Sequence, residues 1–278
     1  MASLIASSNT MATRPRSTLA PETAVIGWRW ALLGTVLGIA MALALFAPAR
    51  WLAASLAQWS NGHLELVNPR GTVWNGTAGV VFSSGGGGAE SISLPGTLAW
   101  TLRPRWNAIA GALDIPCCAA QSLRFIAAPH ANGVQVDWQD GQSRWPAALL
   151  SGFGAPWNTL KPEGVLDLST RAWSMRWDGP RLAMAGRATL AATDISSSLS
   201  TLRPMGSYQL LLDGGPAPTL LLTTREGSLQ LSGSGRWNGK AFRFDGEASA
   251  AAGREDALSN LLNIIGRRSG ARSLITLG

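Results

Sequence analysis

The sequence predicts a mainly β protein, in which one N-terminal transmembrane helix precedes an antiparallel, twisted or curved β-sheet with a C-terminal packing helix. Three observations support this fold class. Residues 30–47, WALLGTVLGIAMALALFA, are apolar and have no counterpart elsewhere in the chain. From residue 71 onward, apolar and polar residues alternate in short stretches separated by glycine-rich turns, which is typical of strands. Helical spacing of apolar residues returns near the end, after residue 254.

The apolar segment 30–47 is long enough to span a membrane. As a helix it extends about 27 Å, close to the ~30 Å hydrocarbon core, and a helix satisfies its own backbone hydrogen bonds in lipid. Arg14, Arg16 and Arg29 precede the segment, whereas only Arg50 follows it closely. Because basic residues accumulate on the cytoplasmic side, the N-terminus is predicted to be cytoplasmic and the large body to lie across the membrane.

A cleaved signal peptide is the alternative interpretation of this segment, since Ala47-Pro48-Ala49 resembles a cleavage site. Against it, the apolar run exceeds the ~7–15 residues of a usual signal core. Arg50 and Trp51 suit the headgroup level of a membrane, and residues 51–58 are expected to continue as helix or to lie at that interface. We therefore predict three regions: a disordered cytoplasmic tail (1–25), a transmembrane helix (26–48) and a β-rich domain beyond the membrane (49–278).

The charge distribution argues against nucleic acid as a partner. The chain of 278 residues has a formal net charge of +7, but only 14% of its residues are charged. Its basic residues are scattered arginines, and Lys161 and Lys240 are the only lysines. A nucleic-acid-binding protein would need a clustered basic face with aromatic stacking positions, so we predict no such partner.

The two cysteines, Cys117 and Cys118, are adjacent in the chain. Neighbouring Cα atoms lie ~3.8 Å apart, below the ~4.4–6.8 Å usual for a disulfide, so a bond between them would be strained. We therefore favour two small residues in a Pro-Cys-Cys-Ala bend over a vicinal disulfide. No zinc ligand set is predicted, because there is no second cysteine pair and the two histidines are isolated.

Period-two alternation marks several strands. Residues 98–102, LAWTL, place leucine, tryptophan and leucine on one face, and Gly85–Gly88 is predicted to be a flexible hairpin loop. Between Leu168 and Trp173 the apolar positions change from even to odd numbers. Since a slip of one residue exchanges the faces of a strand, we predict a bulge or turn near Arg171.

The clearest hairpin is predicted around Asn238-Gly239, the sequence best suited to a two-residue type I′ turn. That turn would pair Trp237 with Lys240, Gly235 with Phe242, Gly233 with Phe244 and Leu231 with Gly246. It would also oppose Ser232 with Asp245 and Ser234 with Arg243 on the polar face. One face would then place large side chains over glycines, while the other is polar, as in a half-solvated antiparallel sheet.

A helix is predicted to close the chain. Acidic residues follow Arg254 at its start, Gly266 is a plausible stop, and Leu258, Leu261, Leu262 and Ile265 share one side. An amphipathic helix of this kind usually packs over a sheet, so we predict a packing helix.

The sequence offers little for catalysis. His63 and His130 lie far apart, and no metalloprotease, nucleophile-elbow or phosphate-loop motif occurs. The segment from Asp137 to Gly141 carries a second acid, Asp140, and could contact calcium, but a polar turn is the commoner explanation. We predict that the chain is not an enzyme and has no catalytic, cofactor-binding or metal-binding residues and no cofactor.

Several stretches together resemble the N component of the bacterial type II secretion system, the general secretion pathway protein N. Their order and spacing behind a single N-terminal anchor carry the resemblance. They are GTVWNGTA (71–78), LPGTLAWTLRP (94–104), PMGSYQLLL (204–212), GSLQLSGSG (227–235), RFDGEA (243–248) and LLNIIGRR (261–268).

This resemblance implies a non-enzymatic component of a machine that exports folded proteins from the periplasm across the outer membrane. It implies inner-membrane platform proteins and the outer-membrane secretin as partners, with residues 49–278 in the periplasm. The family supplies no functional residues to transfer. Exposed sheet edges would suit a connector, because an edge accepts a strand from a partner. The alternative is a lipid-binding or chaperone-like periplasmic groove, suggested by a sheet with one apolar face rich in tryptophan and leucine. Two halves of the sheet could instead pack on each other and close such a groove, and we favour that packing.

Overall fold

The computed structural model describes residues 27–84, 91–179, 181–237 and 241–278. The predicted tail (1–25), the Gly85–Gly88 loop and the Asn238-Gly239 turn lie outside these described residues. The chain divides into two units, residues 1–44 and residues 45–278, and the second unit is called the body below.

The described residues form four α-helices and one 3-10 helix. The α-helices are α1 (Gly27–Leu45), α2 (Ala49–Trp59), α3 (Trp157–Leu160) and α4 (Glu255–Ile265), and the 3-10 helix spans Ala147–Phe153. Helix α1 agrees with the predicted spanning segment: residues Trp28–Leu45 have a mean hydropathy of 1.6 and none of them is buried. Its length and composition suit a membrane-spanning helix, and a signal sequence near an N-terminus shares both properties.

Sixteen strands make up most of the described part of the body. They are β1 (Leu64–Gly71), β2 (Asn75–Ser83), β3 (Ser91–Ser93), β4 (Leu98–Arg105), β5 (Ala108–Asp114), β6 (Leu123–His130), β7 (Gly133–Trp138), β8 (Gly141–Pro146), β9 (Glu163–Asp178), β10 (Arg181–Ser196), β11 (Gly206–Gly215), β12 (Thr219–Gly227), β13 (Leu229–Trp237), β14 (Phe242–Ala250), β15 (Arg267–Ser269) and β16 (Arg272–Leu277).

All of these strands belong to one antiparallel sheet, which confirms the predicted fold class. The order across the sheet is β1-β2-β4-β5-β6-β7-β9-β10-β11-β12-β13-β14-β16-β15. Strand β3 pairs with β2 beyond the end of β4, and β8 pairs with β9 beyond the end of β7. The sheet is not closed in the described residues, because its first and last strands, β1 and β15, do not pair with each other.

Two clusters of buried side chains form the core of the body. The N-terminal core gathers side chains from α2 and the first strands, including Ala49, Leu66 and Trp100. The C-terminal core gathers side chains from β9 to β14 and from α4. The 3-10 helix connects the two, since it contributes Ala147 to the C-terminal core and Leu149 to the N-terminal core. The face of the sheet that carries both cores is called the inner face below.

The predicted bulge near Arg171 is confirmed. Ala172 has a φ of +48°, and the pairing of β9 with β10 shifts at this point. Before the bulge, Leu168 pairs with Leu190, and after it Met175 pairs with Met184. Both pairs lie on the inner face although their positions in β9 differ in parity, which is what an inserted residue achieves.

The predicted register of the β13–β14 hairpin is wrong by two residues. Trp237 pairs with Phe242, and Gly235 pairs with Phe244. The connection therefore spans residues 238–241 rather than Asn238-Gly239 alone. Because a shift of two residues preserves the alternation of side chains, the predicted apolar and polar faces are nevertheless retained.

The phenylalanines of β14 still cover glycines of β13, but they do so diagonally. A Cβ added to Gly235 would lie 2.5 Å from Cζ of Phe242, and one added to Gly233 would collide with the ring of Phe244. On the polar face, Ser232 opposes Glu247 and Ser234 opposes Asp245, in place of the pairs predicted from the shorter turn.

The packing helix α4 is confirmed, but it does not close the chain. Leu258, Leu261 and Leu262 are all buried, and the helix ends before Gly266 as predicted. Strands β15 and β16 follow it and extend the sheet beyond β14. Ser273 of β16 is fully buried and donates a hydrogen bond of 2.6 Å to the carbonyl oxygen of Leu262, which fastens the helix to the sheet.

Tyr208, the single tyrosine of the chain, gives a pH-dependent prediction. Its hydroxyl donates a hydrogen bond of 3.1 Å to the carbonyl oxygen of Leu229, and burial raises its pKa above the ordinary value. Because the folded state keeps this hydroxyl protonated to a higher pH than the unfolded chain does, its contribution to the free energy of unfolding is fully present below pH ~10. Above that pH the free energy of unfolding falls by about 1.4 kcal/mol per pH unit. We expect tyrosinate absorbance to appear only as the fold is lost; titration near pH 10 with the fold intact would contradict this.

Candidate functional site

The two histidines do not form a catalytic arrangement with each other in the described residues. Nδ1 of His63 lies 3.1 Å from the carbonyl oxygen of Ser83, and His130 is exposed at the end of β6. Within the described ranges, no three His, Cys, Asp or Glu side chains come together in a way that could hold a metal ion. That the chain is not an enzyme and needs no cofactor stays a prediction.

The two acids considered for calcium have structural partners. Asp140 Oδ1 accepts a hydrogen bond of 2.6 Å from the backbone N–H of Ala172, so it holds the bulge of β9. Asp137 Oδ1 accepts one of 2.9 Å from Nε2 of Gln135. One carboxylate oxygen of each acid therefore has a hydrogen-bond partner within the protein, and neither contact requires a calcium ion.

The favoured interpretation of the cysteines is wrong, because Cys117 and Cys118 form a disulfide. They lie in the connection from β5 to β6, where the N–H groups of Cys118 and Ala119 both donate to the carbonyl oxygen of Ile115. This tight turn brings the two sulfur atoms together although the residues are adjacent. Cys118 is buried in the N-terminal core, and its carbonyl accepts a hydrogen bond of 2.6 Å from the N–H of Arg144. The disulfide therefore sits at a packed junction of β5, β6 and β8.

The inner face is covered only in part. A row of paired apolar residues crosses five strands outside both cores; its members are Ile109, Ala127, Val136, Met175 and Met184. Ile109 is 38% exposed, and the nearby Val134 is 44% exposed. This part of the inner face is thus an open apolar surface. It is the half nearer the β4–β5, β6–β7 and β9–β10 turns, and it is called the open inner face below.

The opposite side of strands β4 to β7 carries a basic groove of about 670 Å³. Its floor includes the small side chains of Ala110 and Ala112 on β5, and Arg103, Arg105 and Arg124 line it. Arg124 lies opposite Ala112 in the pairing of β5 with β6, and Arg103 lies opposite Ala110 in that of β4 with β5. This groove was not predicted from the sequence because its arginines come from separate strands, although the run Arg103-Pro-Arg105-Trp106 was a usable signal.

The two edges of the sheet differ. Strand β1 contains Pro69 and an irregularity at Asn68, which has a φ of +52°, and α2 packs beside the strand. Proline and bulges are devices that discourage strand addition. At the other edge β15 pairs with residues 272–274 of β16 only, so no described strand pairs with residues 275–277 on the side of β16 that faces away from β14. The end of β16 is therefore the more open edge.

The architecture defines a class: a β-sheet body that follows one apolar helix and presents surfaces for interaction. Comparison with protein families gives the particular family, since the model described as type II secretion system (T2SS), protein N, matches residues 62–274. The match covers more than half of the chain, and the chain belongs to this family, as the resemblance of its motifs suggested. No curated protein and no solved structure matched the chain. The protein is thus a component of a type II secretion system.

Proposed function

We propose that this protein is a non-enzymatic inner-membrane component that helps to link the inner-membrane platform of the secretion system to the outer-membrane secretin. The family match and the apolar helix α1 support a secretion component held in a membrane. The observation that carries the linking role is the continuous sheet. Its fourteen successive strands, spaced about 4.8 Å apart, give a contour of about 60 Å along which partners can bind at separate places.

The open edge of β16 is the place where we expect a protein partner. An edge strand offers unpaired N–H and C=O groups, and a partner strand can satisfy them by extending the sheet. Leu277 is 63% exposed and Ile264 of the neighbouring α4 is 41% exposed, so apolar side chains accompany the edge. A strand from another secretion component would pair with the end of β16, in line with β15, and would cover these two apolar side chains.

A photo-cross-linking residue at Thr276 tests this proposal in cells that make the whole secretion system. Thr276 is exposed on the strand that forms the edge. Thr223 is also exposed but lies on a strand in the interior of the sheet, so it serves as the matched control. We expect Thr276, and not Thr223, to cross-link to another secretion component. No cross-link at Thr276, or equal yields at both positions, would contradict the proposed edge.

A second candidate function, a lipid-binding or chaperone-like groove, is favoured by the open inner face. Val134 and Ile109 are exposed there on a face whose other half is a packed core. The same cross-linking residue placed at Val134 separates the two functions. Attachment to lipid at Val134 favours the groove, whereas attachment at Thr276 to protein alone favours the connector.

A further inference from the structure

The chain enters the body at one particular end of the sheet. The carbonyl oxygen of Ala47 accepts a hydrogen bond of 2.8 Å from the N–H of Val73, and Pro48 forms an isolated β-bridge with Thr72. Both contacts are to the β1–β2 turn. Ala47 follows the last residue of α1 by two positions, so a bilayer that holds α1 must lie close to this turn.

The β4–β5 turn projects beyond the same end. Strand β2 begins at Asn75, which pairs with Thr101, so β4 continues for four residues past that point. At ~3.3 Å per residue this extension is about 13 Å. Trp106 lies in the two-residue turn that follows, between the paired residues Arg105 and Ala108, and its side chain is fully exposed. A fully exposed tryptophan at the tip of a projecting hairpin buries no surface within the body.

The charged residues of the three chain segments that build this end are all arginines. Arg50, Arg70, Arg103 and Arg105 are exposed, and none of them forms an ion pair with a described residue. The three chain segments that build this end, APARW (47–51), RGTVWN (70–75) and RPRWNA (103–108), contain no acidic residue. A second tryptophan in them, Trp51, is 47% exposed.

We propose that this end of the body rests on an anionic phospholipid surface. Trp106 and Trp51 would lie at the headgroup level, where indole rings are favoured, and the four arginines would face lipid phosphates. The contact would fix the orientation of the sheet relative to the membrane. This inference rests on the part of the proposed function that makes α1 a membrane anchor, and it is independent of the partner at the β16 edge.

Hydrogen exchange of the full-length protein in lipid nanodiscs tests the contact. One set of discs contains phosphatidylcholine alone, and the other also contains phosphatidylglycerol. The measured quantity is the ratio of exchange rates for residues 103–108 between the two sets. Since one arginine near an anionic surface contributes about fivefold to binding, we expect exchange to be slower in the anionic discs by at least about fivefold. Added salt should reduce this difference, because it screens exposed charges.

Two variants and two matched controls complete the test. R103Q/R105Q should strongly reduce the lipid-dependent ratio, since Arg50 and Arg70 remain, and Trp106→Ser should also reduce it. The controls are R267Q/R268Q, which changes exposed arginines on the far edge of the sheet, and Trp59→Ser, which changes a tryptophan 73% exposed at the other end of α2. Both should leave the ratio unchanged. Equal exchange in the two sets of discs, or equal effects of variants and controls, would overturn the proposal. Failure of the protein to stay with the discs would instead refute the membrane anchor.

Discussion

Replacing Trp100 by alanine is expected to lower the free energy of unfolding by about 3–5 kcal/mol, the range measured for buried aromatic residues. Trp100 is 2% exposed and lies in the N-terminal core with Ala78 and Leu149. Its Nε1–H donates a hydrogen bond of 2.9 Å to the carbonyl oxygen of Val73, in the β1–β2 turn. The substitution therefore removes a large buried surface and also leaves a partly buried carbonyl without its donor.

Trp100→Phe separates the two contributions. It keeps most of the apolar volume but loses the bond to Val73, so we expect an intermediate loss of stability. The control is Trp59→Ala at an exposed position, which should change stability by no more than about 0.5 kcal/mol. Denaturant unfolding of the full-length protein in detergent, followed by circular dichroism, measures all three. A loss below about 1 kcal/mol for Trp100→Ala would mean that the N-terminal core is not packed as described.

The faces of the strands were easier to predict than their pairing. Alternation of side chains identified the apolar face of β13 and β14 correctly, because each side chain faces one side of a strand whatever its partner is. The pairing depends on the length of the turn after Trp237. The Asn238-Gly239 motif does not determine that length by itself. The error of two residues left the faces intact, whereas an error of one residue would have exchanged them.

The bulge at Ala172 was predictable for the same reason. Its signal was a change of parity between Leu168 and Trp173, and a buried face cannot tolerate such a change without an inserted residue. The partner that holds the bulge, Asp140, was not predictable. It lies 32 residues away in the chain, and only the pairing of β7 and β8 with β9 brings it to the Ala172 N–H.

Of the interaction surfaces, the basic groove was not predicted, because it arises from neighbours distant in sequence. The basic groove joins Arg103 and Arg124 across β5, whose small residues Ala110 and Ala112 have no functional signal of their own. The open inner face exists because two separate cores cover only part of one sheet. The disulfide of Cys117 and Cys118 was disfavoured, though not excluded, by a distance rule that describes residues separated in the chain.

Gly186→Ala is expected to lower the free energy of unfolding by more than about 3 kcal/mol, since backbone strain and a steric clash act together. Gly186 has a φ of +84° and lies opposite the bulge of β9. A Cβ at this position would collide with the carbonyl oxygen of Ala172 and lie 2.7 Å from that of Arg171. The bulge cannot retreat freely, because the N–H of Ala172 is held by Asp140.

Gly270→Ala is the matched control for this substitution. Gly270 lies in the turn between β15 and β16 with a φ of +62°, but a Cβ there would meet no atom within 4 Å. It should therefore show the cost of the left-handed backbone alone, about 1–2 kcal/mol. The difference between the two variants in denaturant unfolding isolates the clash with the bulge. Equal losses of unfolding free energy for both variants would show that β9 can rearrange. The apolar side chains before and after Arg171 would then share the inner face without a fixed bulge.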